Sequence, residues 1–170
     1  YAGETVQKLA EDIRVVRKYD MYGYVDRIPL KGIRKVTAQR MKESLQKNAP
    51  VTHMDEADVT ELWEHREKHK IEVEKKGVHL TFMPFIIKAL ISALKENPRF
   101  NATLDEEHEE IVIKKYYNIG IAVATEEGLL VPVIKIADQK NILDLAREIR
   151  DLADKASQRK LDLADLKGNT

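Results

Sequence analysis

Between Ile111 and Lys135 the chain gives up the helical spacing of apolar residues that governs its earlier part. Short runs rich in isoleucine, valine and tyrosine (Ile111–Lys114, Tyr116–Thr125 and Leu129–Lys135) read there as strands. Thr125-Glu-Glu-Gly128 joins the last two as a hairpin turn, with Gly128 free to take a positive φ. Pro132 has no amide to give to a ladder, which sets its strand at an edge or on a bulge. A block of this kind between helical stretches implies an α/β fold, an α+β sandwich in which helices flank a mixed β-sheet.

The flanking helices have their own signals. Val6, Leu9, Ile13 and Val16 predict a helix over residues 4–18, broken by Tyr19, Tyr22, Gly23 and Tyr24. Residues 1–25 are therefore read as a linker or arm and 26–170 as the folded domain. Ile33, Val36, Met41 and Leu45 predict an amphipathic helix over 32–47, with a strand at Val51–Ala57 after it. Asp58-Val-Thr-Glu61 has cap spacing and opens a helix to Lys76, stopped at Gly77. Thr81 caps the next, over 82–96, where Pro84 sits in the first turn and Asn97-Pro98 ends the run. Glu106, Glu107, Glu109 and Glu110 read as a solvated turn. Asn141 caps a last helix to Lys155, with Leu145, Ile149 and Leu152 facing inward.

Charge and composition remove several classes of function. Basic and acidic residues balance at 29 each, so the clustered cations of a nucleic-acid surface are not expected. The absence of cysteine excludes a disulfide framework, a thiol nucleophile and a thiolate metal site, and fits a reducing compartment. The most apolar helical stretch, Phe85–Leu94, is cut by Lys88 and falls short of the roughly 20 residues that cross a bilayer, so no membrane role is expected. Neither GxGxxG nor GxxxxGK[ST] occurs, and no serine stands in a GxSxG turn.

Three positions invite chemistry. His65 and His69 have the four-residue spacing of a metal-binding pair, but the zincin order is missing and a solvated helix side accounts for them. Arg66 falls on the apolar stripe of its helix with Leu62, Trp63, His69 and Lys70 as its neighbours at three and four residues, so no carboxylate of that helix is expected to pair with it. Its partner is then an acid from another element or the phosphate of a ligand. Thr81 serves as a helix cap, and a helix start also attracts anions.

Three longer stretches stand in order: Met54-Asp-Glu-Ala-Asp-Val-Thr60; Leu80-Thr-Phe-Met-Pro-Phe85 with Lys88-Ala89; and Tyr117-Asn-Ile-Gly-Ile-Ala122 followed by Gly128-Leu-Leu-Val-Pro-Val-Ile134. Gly32-Ile-Arg-Lys35 with Met41, Asn97-Pro98 with Asn101-Ala102, and Gly168-Asn-Thr170 extend the set. From about Arg27 to Thr170 the chain resembles the dihydrolipoamide acyltransferases, the core components of the 2-oxo acid dehydrogenase complexes.

That resemblance implies a chloramphenicol-acetyltransferase-like fold, homotrimers built into a larger cage, and acyl transfer between a dihydrolipoyl arm and coenzyme A. It implies lipoate carried on a lipoyl domain outside this chain, decarboxylase and dihydrolipoamide dehydrogenase partners, and a cytoplasmic setting, or the mitochondrial matrix in a eukaryote. By the same resemblance Arg66 and Thr81 fall where branched-chain members contact coenzyme A; Val123 and Met83 are candidates to line the channel, with apolar core as the plainer reading of both. Ala124 departs from the pattern, because many relatives carry aspartate before the hairpin threonine.

The family base belongs to a His-x-x-x-Asp-Gly motif. A neutral imidazole of pKa near 6.5 would take the proton of a thiol of pKa near 8.5 as it attacks the thioester. Four residues after His53, His65, His69, His79 and His108 stand Ala57, His69, Val73, Met83 and Val112, so the motif is absent here. The family's oxyanion-side hydroxyl follows a Gly-x-Thr step like Gly168-Asn-Thr170. The expectation is therefore the front portion of the catalytic domain, with its C-terminal part and catalytic residues beyond Thr170. The competing expectation is a truncated, non-catalytic core scaffold.

Overall fold

The computed structural model describes residues 15–126 and 128–170, and the chain divides between His53 and Met54 into two compact units. In the first unit, β1 (Val16–Tyr19) and β2 (Tyr24–Arg27) form an antiparallel hairpin with Tyr19 opposite Tyr24. Asp20 Oδ1 accepts the amides of Tyr22 and Gly23 and so closes the turn. The two tyrosine rings meet edge to face at 5.1 Å. Arg17 Nε donates to Asp26 Oδ1 at 2.9 Å, and this bond holds the Asp26 carboxyl below the usual carboxylate range.

Residues 16–18, expected to end a helix, are thus strand, and part of the stretch read as a linker is a hairpin. Cross-strand aromatic and ionic pairs outweigh the apolar spacing there. The expected helix over residues 4–14 lies outside the described residues. Helix α1 (Gly32–Lys47) has the expected bounds, yet none of its residues is buried. The strand expected at Val51–Ala57 is irregular chain. Asp55 Oδ1 accepts the Glu56 amide and Asp58 Oδ1 that of Thr60, local bonds that compete with a ladder.

The second unit carries the remaining elements. Helices α2 (Thr60–Glu74) and α3 (Met83–Glu96) are followed by β3 (Ala102–Asp105) and β4 (Glu110–Ile113), which pair with each other. Then come β5 (Ile119–Gly120), β6 (Val123–Thr125), β7 (Gly128–Leu130), β8 (Val133–Ile134) and α4 (Ile142–Ser157). Strand β3 was not expected; the turn after it was, although Glu110 belongs to β4.

β5 pairs with β8 and β6 with β7 in one register, so the two ladders continue one another as a hairpin interrupted near Pro132. Without an amide, Pro132 contributes only its carbonyl, which accepts from Ile121 at 2.9 Å. Among the described residues every ladder is two-stranded and antiparallel, so the expected mixed sheet is replaced by separate ribbons. A Cβ at Gly120 would lie 2.8 Å from Val131 Cγ1, so any larger residue there displaces the valine side chain.

The core is where the hairpin and the two apolar helix faces meet. Ile87, Ile91 and Leu94 of α3 pack with Ile119, Ile134, Leu145 and Leu152. Each fully buried aliphatic side chain contributes roughly 1.5–3 kcal/mol. A second cluster joins Val73, Val78, Leu80 and Ala146. Asn141 Oδ1 accepts the Asp144 amide at 2.9 Å, the cap expected for α4. Just before it, Ile136 holds φ +52° and ψ +44°, a left-handed conformation that costs a β-branched residue roughly 1–2 kcal/mol.

Candidate functional site

At the connection between α2 and α3, Arg66 contacts Leu80 and Phe82, the residues on either side of Thr81. Arg66 Nε donates to the Leu80 carbonyl at 2.9 Å, which belongs to the peptide linking Leu80 to Thr81. Its guanidinium lies 5.2 Å from the centroid of the Phe82 ring, a cation–π contact that adds to its anchorage. The Arg66 side chain is only 14% exposed.

One expectation fails here. Arg66 does have a carboxylate partner on its own helix, because Nη1 donates to Glu67. Adjacent side chains do not normally face each other on a helix. The long arginine stem, drawn toward Leu80 and Phe82, turns the head of the group back to Glu67. Neither a distant acid nor a phosphate is needed to explain its charge.

Thr81 is half-buried, and its Oγ1 accepts the Met83 amide at 3.3 Å. The cap position itself falls on Phe82, one residue later than expected, and the threonine hydroxyl serves the first helical amide. Met83 is 40% exposed, so it is not the core residue expected, whereas Val123 is half-buried.

The His65 and His69 rings lie 4.6 Å apart between centroids, and His65 stands edge-on to Phe85. No group of three or more potential metal ligands assembles among the described residues. His108 Nδ1 and Asp105 Oδ2 are 3.0 Å apart, and this hydrogen bond holds the Asp105 carboxyl below its ordinary range. The pair sits on an exposed turn, where it closes the β3–β4 hairpin.

A cavity of about 490 Å³ opens between the β6–β7 turn and the end of α4, lined by Ala124, Thr125, Glu126, Ala156, Arg159 and others. A second, of about 360 Å³, lies between Gly77–His79 and α4, with Arg147 and Arg150 in its wall. Arg66 and Thr81 line neither cavity. What they form is an anchored guanidinium beside the start of a helix, an arrangement suited to an anion rather than to bond breaking. Sequence reasoning missed Phe82 and the Leu80 carbonyl as the anchors, although an aromatic residue directly after Thr81 was a usable signal.

The family description "2-oxoacid dehydrogenases acyltransferase (catalytic domain)" matches residues 23–170. The dihydrolipoyllysine-residue acetyltransferase component of the pyruvate dehydrogenase complex of Staphylococcus epidermidis is 48% identical over 145 residues, which is 85% of this chain and 33% of the relative. The chain thus spans about a third of the length of that curated relative. Azotobacter vinelandii dihydrolipoamide acetyltransferase, solved in a study of a serine, a histidine and an asparagine in its catalytic mechanism, superposes with a TM-score of 0.81 at 40% identity, covering 87% of this chain and 61% of that one. The solved cubic core of a pyruvate dehydrogenase multienzyme complex gives a TM-score of 0.81 at 39% identity, with the same coverage of 87% and 61%. The chloramphenicol-acetyltransferase-like fold class expected from the sequence is the one these catalytic cores have.

Proposed function

We propose that this chain, which belongs to the 2-oxoacid dehydrogenase acyltransferase family, is part of the catalytic domain of a protein that moves an acyl group between a dihydrolipoyl arm and coenzyme A. The observation that carries this reading is the joint likeness, in sequence and in fold, to a solved acetyltransferase core. The complete protein would assemble as homotrimers within a larger cage, a reading supported by the likeness to a cubic core. It would receive the lipoyl arm from a separate lipoyl domain and work with decarboxylase and dihydrolipoamide dehydrogenase components in the cytoplasm, or in the mitochondrial matrix of a eukaryote.

Arg66 and Thr81 take the coenzyme A side. Two Arg66 nitrogens are engaged, Nε by Leu80 and Nη1 by Glu67, which leaves Nη2 for a phosphate oxygen. The guanidinium is already ordered, so it loses little side-chain freedom when an anion arrives. Glu67 shares its charge, so its contribution is orientation more than attraction. The base that deprotonates the thiol is expected in the continuation of the polypeptide, since none of the five histidines carries the required motif.

The test is an acyl-transfer assay on the complete polypeptide with dihydrolipoamide and coenzyme A. Transfer by the parent is expected. Arg66→Ala should raise the KM for coenzyme A about tenfold, the loss of one charge-assisted hydrogen bond, and should also lower the unfolding midpoint, because it removes the bonds to Leu80 and Glu67. A parent that transfers no acyl group would overturn the reading. A variant with an unchanged KM would remove Arg66 from it.

A further inference from the structure

We propose that Asn118 is a positioning residue for the transfer reaction: its side-chain amide clamps the Gly168–Thr170 segment to Ile136 and so fixes where the chain beyond the Gly-x-Thr step is held. The inference rests on the proposed function for its catalytic meaning and on the hydrogen-bond geometry for the clamp itself.

Three segments meet at this one half-buried residue. Asn118 Nδ2 donates to the Gly168 carbonyl at 2.7 Å, and Oδ1 accepts the Ile136 amide at 2.8 Å. Its backbone engages the same segment: the Asn118 amide donates to Thr170 Oγ1 at 2.9 Å, and its carbonyl accepts the Thr170 amide at 2.7 Å. Thr170 Oγ1 in turn donates to the Tyr116 carbonyl at 3.3 Å, which also accepts from Asn101 Nδ2 at 2.9 Å. Gly168 takes φ +78°, so the segment bends sharply at the residue whose carbonyl the amide grips.

The residue type matters. A primary amide presents a donor and an acceptor on one short planar group, and both are used here. Aspartate keeps an acceptor for Ile136 but sets a carboxylate oxygen against the Gly168 carbonyl. Alanine removes both bonds. The two substitutions therefore separate the halves of the clamp.

The resemblance sets the oxyanion-side hydroxyl just after a Gly-x-Thr step, and Asn118 reaches both ends of the corresponding segment. Asn118 would touch no substrate; it would set the placement of a group that does. A displacement of about 1 Å at a reacting group can cost about a hundredfold in rate.

The experiment uses the complete polypeptide as parent, Asn118→Asp and Asn118→Ala. Amide exchange is followed over residues 134–138 and 166–170, and acyl transfer is followed with dihydrolipoamide and coenzyme A. The aspartate variant should keep the protection of Ile136 and lower that of 166–170, where Thr170 stays bonded to the Asn118 backbone carbonyl, while alanine lowers both. In the aspartate variant kcat should fall at least tenfold with the KM for coenzyme A within twofold. Its activity relative to the parent should recover as pH falls, because a protonated carboxyl again donates to Gly168. Unchanged protection of 166–170 in the aspartate variant would overturn the clamp. Lowered protection with unchanged kcat in an active parent would overturn the positioning role alone. An inactive parent would overturn the functional reading and the catalytic part of this one, leaving the exchange result to decide the clamp.

Discussion

Helices α1 and α4 are each sixteen residues long, and both carry a periodic apolar stripe, yet only α4 buries that stripe. α4 starts from an asparagine cap and buries Leu145, Ala146, Leu152 and Ala156. α1 starts at Lys31, which makes no side-chain cap bond, and buries nothing. Val36, Met41 and Leu45 of its stripe are 55%, 56% and 77% exposed. A helix of this length is marginal in water without tertiary support. Periodicity thus specifies that a helix forms and which face is apolar; only packing decides whether that face contributes to stability.

The largest expected effect tests that contrast at matched residues. Leu145→Ala should destabilise the second unit by about 3 kcal/mol in denaturant unfolding, since Leu145 is fully buried. Leu45→Ala should change stability by no more than about 0.5 kcal/mol. Equal losses at the two sites would break the comparison.

Next come the caps. Asn141→Ala should cost about 1 kcal/mol by freeing the Asp144 amide. The converse change, Lys31→Ser, places a capping side chain at a residue whose backbone is already extended, at φ −129° and ψ 167°. It should stabilise α1 by up to about 1 kcal/mol, read as slower amide exchange over residues 33–47. No gain there would mean that α1 is limited by something other than its first turn.

The smallest effect is set by pH. The Asp26 carboxyl lies below its ordinary range because Arg17 donates to it, so its contribution is complete above the unfolded carboxylate pKa and is lost as pH falls through the lower folded value. Amide protection in the β1–β2 hairpin should therefore decline on acidification below about pH 4, and the pair should weaken with salt. The α4 cap is a neutral amide and should show no such decline. Parallel loss at both places would point to general acid unfolding.

Much of the fold was legible because its signals are local. The bounds of α1, the Asn141 cap, the turn between Thr125 and Gly128 and the break at Pro132 each depend on residues a few positions apart. The errors were non-local or competitive. Val16 fits a helical stripe, but Tyr24, Asp26 and Arg27 across the hairpin decide its strand. Ala102–Asp105 became a strand only because Glu110–Ile113 returns beside it. At the candidate site, the contact of Arg66 with the residues on either side of Thr81 depended on a carbonyl at Leu80, which no side-chain pattern announces. Asn118 passed unnoticed because its partners lie eighteen and fifty residues away.

Ile136 turns the same geometry into an evolutionary statement. A branched residue sits where the backbone prefers glycine or asparagine, and Asn118 secures it from outside. A saturation library of this chain should then enrich those two residues at the site, while tolerance of isoleucine should vanish once the Asn118 support is withdrawn. The two positions would drift as a linked pair, each constraining which replacements the other can accept.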